Sequence, residues 1–287
     1  MSKLGIGIDF GTSNSAAAVF DGERLQLVRL EQDDDIIPSA TYIDRSLTAQ
    51  TGQQAVRQYI ADNTGRTVEL IPEVVGETSQ FVEGGGGEEV AEVDTATQKI
   101  YGAPITDSGM QGRLFRGTKR LLGDESVRRL MVFDQPFRLV ALITPLLLRI
   151  RKSIEQRVGA VNAAHLGYPV NFEGRDQFAN DLALNRLGEA FNYAGIKTQD
   201  FFPEPIAAAV SYLHSNPNAE GELLLTLDFG GGTLDFCVLR RQGQDFEVVA
   251  THGIGLGGDH LDQLLFRKLL FPPVSYTHLT LPTTPYV

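Results

Sequence analysis

The chain has 287 residues, enough for about two domains at roughly 150 residues each. Its apolar fraction of 42% supports buried cores, and a net charge of −11 argues against nucleic acid or an anionic membrane as the main partner. One cysteine, Cys237, excludes an intrachain disulfide framework, and the expected state of that thiol is buried and inert. Residues 1–7 hold no signal-peptide core, and the longest uncharged apolar run, residues 139–148, is too short for a membrane span. The expectation is a soluble cytoplasmic protein.

In chain order, residues 4–30 read as a three-stranded meander, with Asp21-Gly22 as a hairpin signal of the type I′ kind. An acidic connector, residues 31–35, leads to residues 36–42 and a new strand after Pro38, and residues 51–61 read as a helix with Ala55, Tyr59 and Ile60 as its apolar positions. Residues 65–105 mix strand-like pieces with a glycine run, and the acidic stretch 77–94 reads as an exposed, flexible insertion. Arg113, Arg116, Lys119 and Arg120 fall at near-helical spacing, which by itself describes a solvated helix face. A helix follows over residues 144–158, where Leu146, Ile150, Ile154 and Val158 recur every four residues. Thr144 would cap it with Pro145 at the first helical position; an earlier start would instead put Pro145 inside.

Residues 163–168 read as a buried strand. A second long helix spans 175–194, with Phe178, Leu182, Leu187 and Phe191 inward and Gly195 ending it. A short strand at Phe201-Phe202 and an alanine-rich helix over 205–214 come next; small residues there suit close packing between lobes. Residues 223–239 then hold two apolar runs joined by Gly230, Gly231, Gly232 and Thr233, with Asp228 before the turn and Asp235 after it. A third strand, a glycine-rich turn over 253–259 and a helix over 260–270 complete this part. Residues 273–287 show neither period nor caps and read as a non-native or disordered tail.

The second glycine turn repeats the first. Asp9, Phe10, Gly11 and Val19 align with Asp228, Phe229, Gly230 and Val238, about 219 residues later. Duplicated meanders imply two related lobes with a ligand held between their turns. Glycines let a ligand reach backbone N–H groups, Thr12, Ser13 and Thr233 add hydroxyls, and the carboxylates of Asp9 and Asp228 suit hydrated magnesium. That combination is the chemistry of a nucleotide's phosphates.

The string Asp-Phe-Gly-Thr-Ser-Asn-Ser at 9–15 and Asp-Phe-Gly-Gly-Gly-Thr-Leu-Asp at 228–235 resemble the two phosphate motifs of the actin, hexokinase and heat shock protein 70 superfamily. The wording is closest to the DnaK-type chaperones, and the long helices and loose middle segment resemble their shorter YegD-like homologues. Tyr168-Pro-Val-Asn-Phe172 and Pro203-Glu-Pro-Ile-Ala-Ala-Ala209 resemble two further segments of that family, and the likeness runs from about residue 4 to 270. The resemblance implies an actin-like two-lobed α/β ATPase fold with duplicated meanders. Lobe I would cover 1–218, with an inserted subdomain at about 40–135; residues 219–271 would form a partial lobe II and 272–287 the tail.

By the same resemblance the ligands are ATP or ADP with Mg2+. Asp9, Gly11, Thr12, Ser13, Asn14, Gly230, Gly231, Gly232, Thr233, Asp235, Gly257 and Gly258 would hold the nucleotide. Asp9 and Asp228 would hold the metal mainly through water. Catalysis would fall to Lys119, Glu204, Asp228 and Thr233, with Lys119 turned toward the γ-phosphate and the attacking water because residues 115–123 resemble the family's lysine segment. Pro169 would relay nucleotide state to lobe orientation. His260 stands where the family usually has an acidic residue, and no metal role passes to it; His165, His214 and His252 are isolated and read as structural.

The implied function is slow ATP hydrolysis coupled to lobe movement, with a co-chaperone or nucleotide-exchange protein as partner and neither nucleic acid nor membrane involved. No peptide-binding domain or second-lobe adenosine motif follows in this chain, so weak, poorly adenine-selective binding and poor turnover are expected of it. A small-molecule kinase, an actin-like filament protein and a non-catalytic nucleotide sensor of the same superfamily stand as alternatives.

Overall fold

The structure, a computed structural model, describes residues 4–68, 70–81, 95–107, 109–133, 135–169, 177–216, 221–243 and 245–270. The glycine run within 77–94, most of the segment after Pro169 and the whole tail lie outside the described residues.

Alternating small and apolar residues build the first meander. β1 (Gly5–Phe10) pairs antiparallel with β2 (Asn14–Phe20), and β3 (Leu25–Leu27) follows on β2. Its connecting turn differs from the type I′ expectation: only Gly22 takes a positive φ, 102°, while the Asp21 carboxylate accepts the Glu23 and Arg24 N–H groups at 2.9 and 2.8 Å. β4 (Ile36–Pro38) returns to the start of β2. A small separate layer follows, formed by β5 (Ala40–Asp44), β6 (Ala49–Thr51) and α1 (Gln53–Asn63). Ala55 of α1 packs on Ala40 and Tyr42, whereas Ile60, expected inward, is 56% exposed.

The described parts of the 65–105 region are more regular than expected, because β7 (Leu70–Phe81) and β8 (Thr95–Asp107) pair antiparallel over most of their length. β9 (Gly112–Arg116) then joins β5, so Arg113 and Arg116 sit on a strand rather than a helix face. Only Thr118–Leu121 coil, as a single 3₁₀ turn. β10 (Arg129–Val132) and β11 (Gln135–Arg138) form a short hairpin before α2 (Leu139–Val158).

α2 begins five residues before the Thr144 start. Burial of Leu139, Val140, Leu142 and Ile143 draws the first turns into the helix, so Thr144 donates back to the Val140 carbonyl at 2.7 Å instead of capping. Pro145 therefore lies inside, and Ala141, whose carbonyl loses a donor, is on the exposed side. β12 (Ala163–Tyr168) lies parallel to β1, Gly7 opposite His165, and alternates in burial rather than being buried throughout. α3 (Gln177–Tyr193) closes on a Schellman motif: the Gly195 N–H donates to the Asn192 carbonyl at 3.0 Å and the Ile196 N–H to the Phe191 carbonyl at 2.9 Å. Its buried stripe runs through Ala183, Leu187, Ala190 and Phe191; Phe178 is 64% exposed, against expectation.

β13 (Thr198–Pro203) pairs parallel with β12 and completes a six-stranded sheet in the order β13-β12-β1-β2-β3, with β4 on β2. One face, through Ile8, Phe10, Ala17, Val19 and Leu166, joins α2 and α3 in the main core. α4 (Glu204–Ser215) leads to the second meander, β14 (Leu223–Phe229), β15 (Leu234–Gln242) and β16 (Asp245–Ile254). Of the expected close-packed alanines only Ala209 is buried, against Cys237 and Leu239; Ala207 and Ala208 are exposed.

The second lobe is visibly the smaller among the described residues. Its sheet has the order β14-β15-β16, and the position beside β14 that corresponds to β12 has no strand there. Leu223, Leu225, Leu227 and Phe229 are each more than half exposed. α5 (Gly258–Leu265) and the π-helical turn Phe266–Leu270 bury no residue. No helix among the described residues is long and apolar enough to cross a membrane.

Candidate functional site

Four chain segments meet between the two meanders. β1 delivers Asp9 and then turns tightly; a Cβ on Gly11 would stand 2.1 Å from the Asn14 carbonyl oxygen, which leaves glycine as the residue that fits. Gly117, at φ 66°, starts the 3₁₀ turn that points Lys119 inward. Arg186 of α3 fixes that turn from behind, donating to the Leu122 and Asp124 carbonyls at 2.9 Å each. Glu204 opens α4, and its carboxylate accepts from Lys119 Nζ at 2.8 Å.

The second turn supplies the opposite wall. A Cβ on Gly231 would lie 2.0 Å from Ser13 Oγ, so the two glycine turns touch face to face. The resulting cleft, about 260 Å³, is lined by Asp9, Gly11, Thr12, Ser13, Asn14, Lys119, Arg120, Pro169, Glu204, Asp228, Phe229, Gly230, Gly231 and Thr233. A larger cavity of about 820 Å³ beside Glu31, Asp33, Arg57 and Arg149 shares only Asn14 with it and contains none of the converging carboxylates.

Four expected nucleotide residues, Gly232, Asp235, Gly257 and Gly258, stand outside the lining and act from behind. Gly258 donates its N–H to the Gly230 carbonyl at 3.0 Å, and a Cβ on Gly257 would fall 2.2 Å from the Gly231 oxygen. These contacts brace the second turn. Gly232 is buried against the alkyl part of Arg120. Asp235, 3% exposed, accepts from Thr233 Oγ1 at 2.9 Å. Sequence reasoning gave no site role to Arg120, read as part of a solvated helix face, or to Asp259, read as the end of a glycine-rich turn; the adjacency of Arg120 to Lys119 is the signal that could have placed it in the cleft.

The ionisable groups of the cleft act on one another. Burial, then the charge of Glu204, raises the Asp9 carboxyl to about 6, with Lys119 opposing and Asp228 adding to the rise. Asp228 and Asp235 are also raised, chiefly by burial. Burial alone would lower Lys119, but Glu204, Asp9 and the hydrogen bond to Glu204 outweigh it and hold the ammonium charged. Several carboxylates therefore face one lysine.

That excess suits a cation. The Oδ1 atom of Asp235 is buried and has no hydrogen-bond partner, an acceptor left over in a site of negative charge. No group of three or more ligating side chains converges on one metal position among the described residues. The donor set fits an ion that keeps its water shell, as magnesium does, better than a bare ion caged by protein.

Comparison with known proteins shows the family to which the chain belongs. The Hsp70 protein family model matches residues 5–99 and 128–271, leaving the Lys119 segment outside the matched parts. The heat shock 70 kDa protein BIP3 of Oryza sativa subsp. japonica is 28% identical over 267 residues, covering 92% of this chain and 36% of that protein. The chaperone protein HscA homolog of Histophilus somni (strain 2336) is 28% identical over 265 residues, covering 92% of this chain and 37% of its own length. The chain thus spans little more than a third of these relatives. With both glycine turns inside the matched residues, the chain belongs to the heat shock protein 70 family.

Proposed function

We propose that this chain is the ATP-binding, slowly hydrolysing part of a DnaK-type chaperone homologue, in which nucleotide state sets the relation between the lobes. The convergence of the two glycine turns on Lys119 and the acidic cluster carries this reading. In the proposed arrangement, lobe I runs over 1–218 and a partial lobe II over 219–271.

The phosphates of ATP or ADP would lie between the turns, accepting from backbone N–H groups of Gly11 to Asn14 and Gly231 to Thr233 and from the hydroxyls of Thr12 and Ser13; the Thr233 hydroxyl would join them by turning its hydrogen away from Asp235. Hydrated Mg2+, when bound, would offset phosphate charge in the cleft. Asp9 and Asp228 would hold it through water, with Glu204 and Asp235 behind them. Lys119 keeps its proton against Glu204 and would direct Nζ–H toward the γ-phosphate and the attacking water, a group positioned before reaction and therefore effective in stabilising developing charge. Pro169, at the cleft wall, would carry nucleotide state to lobe orientation.

A co-chaperone or nucleotide-exchange protein as partner, a cytoplasmic location and the YegD-like subtype belong to the same proposal. Calorimetric titration of the 287-residue chain with ATP, with and without Mg2+, tests the core of it. Binding that needs Mg2+ and is lost in Asp9→Asn plus Asp228→Asn is expected. Binding that ignores both the metal and the double substitution would remove the phosphate cleft from consideration.

A further inference from the structure

We propose that Arg186 is the positioning residue for Lys119, so that α3 decides where the ammonium stands in the cleft. The inference rests on the nucleotide reading above for its consequence in catalysis, and it deepens that reading by naming what holds the central cation.

Lys119 belongs to a turn with little strength of its own. Thr118–Leu121 is a four-residue 3₁₀ turn without a side-chain cap, and so short an element does not persist by its internal hydrogen bonds. Yet it carries a lysine whose side chain is only 6% exposed, with Nζ committed to Glu204 at 2.8 Å. A buried ammonium that drifts from its partner loses attraction without regaining water. The position of this turn is therefore imposed from outside.

At its front, Arg116 of β9 pairs with Ala40 of β5, and Gly117 makes the bend at φ 66°. At its back stands Arg186, whose Nη1 donates to the Leu122 and Asp124 carbonyls at 2.9 Å each and, at 3.4 Å, to that of Leu121. The Leu122 N–H in turn donates to the Lys119 carbonyl at 3.2 Å. A chain of peptide groups thus runs from the guanidinium to the backbone that bears Nζ. α3 touches the same loop a second time, since a Cβ on Gly123 would stand 2.9 Å from the Ala179 carbonyl oxygen.

A guanidinium suits this place because its N–H donors reach several carbonyls at once, whereas a lysine offers one point charge and a methionine none. Loss of Arg186 should loosen the turn and let Nζ leave Glu204, while α3 stays in the core through Ala183, Leu187, Ala190 and Phe191.

Acetylation of lysines in the ligand-free 287-residue chain, read peptide by peptide by mass spectrometry, tests the positioning. Exposed Lys152 is the internal reference, and Lys119 of the parent chain should resist the reagent. Arg186→Met should speed Lys119 labelling relative to Lys152 by on the order of tenfold, the scale of one lost hydrogen bond to a charged group. Arg186→Lys should speed it by only about two- to threefold, and it carries the test should the methionine variant misfold. Phe191→Leu, which takes stability from the core at the other end of α3, should leave Lys119 protected. With Mg2+ and ATP, single-turnover hydrolysis per bound nucleotide should fall about tenfold in Arg186→Met, with affinity changed less than about twofold.

Unchanged protection of Lys119 in both Arg186 variants, or equal exposure in Phe191→Leu, would overturn the proposal. Absence of ATP binding by the parent chain would remove the nucleotide reading, while the ligand-free comparison would still decide whether Arg186 positions Lys119.

Discussion

Replacing Asp9 by Asn tests the electrostatic account of the cleft most directly. The Asp9 carboxyl is raised from an ordinary 3.8 to about 6, first by burial and then by Glu204, with Lys119 pulling the other way. Taken whole, that difference is on the order of 3 kcal/mol against the ionised form. Asp9 also opens to the cleft, where water screens it, so about 1 kcal/mol is the effect to expect in stability. The sign comes from proton binding. Between about pH 4 and pH 6 the folded chain keeps a proton that the unfolded chain releases, so the Asp9 contribution is fully present below about pH 4, declines through that window and stays lost above it.

The Asn variant has no charge to lose. Asp9→Asn should raise ligand-free stability by about 1 kcal/mol at pH 7.5, with the gain fading to nothing near pH 4. Urea unfolding followed by far-ultraviolet circular dichroism suits a chain without tryptophan. An equal gain at both pH values, or a loss at both, would refute the reasoning, because the shape and hydrogen bonds of Asp9 would then outweigh its charge.

In a longer chain carrying a complete second lobe, Lys119→Met should lower single-turnover ATP hydrolysis by on the order of 10²–10³ while changing nucleotide affinity far less. Equal losses would make Lys119 a ground-state anchor. Gly231→Ala should force the turns apart and destabilise the ligand-free chain by about 1–3 kcal/mol, and Ser13→Gly in the same chain should recover part of it. Failure of that rescue in denaturant melts would show that the Ser13 contact is not the cause. Pro145→Ala should stabilise α2 by about 1–3 kcal/mol by returning a donor to the Ala141 carbonyl. A lower thermal midpoint would mean that packing of the ring outweighs the hydrogen bond.

Features carried by local chemistry were legible in the residues alone. The Asp-Phe-Gly repeat announced both meanders, Gly195 announced the end of α3, and the apolar spacing of Leu146, Ile150 and Ile154 announced α2. What escaped depended on tertiary surroundings. Thr144 and Pro145 form a sound start signal, yet the core claims Leu139 to Ile143 and overrides it. Arg113 and Arg116 match a helical period but are held in a strand by pairing with β5. Phe178 has the right spacing to face inward, yet at the start of α3 it is 64% exposed. In the cleft, the Lys119 to Glu204 pair and the Arg120 to Asp259 contact join distant parts of the chain, and no local pattern encodes such meetings.

The pairing of β1 with β12 also sets a timetable. Gly7 meets His165, so the edge of the first strand waits for about 160 further residues before its parallel partner exists. At roughly 5–20 residues per second, synthesis would leave that edge open for on the order of 10–30 s. Until then the first meander is a three-stranded fragment with bare N–H and C=O groups along the open edge of β1. Before β12 is made, the open edge of β1 is a surface on which another extended chain can pair.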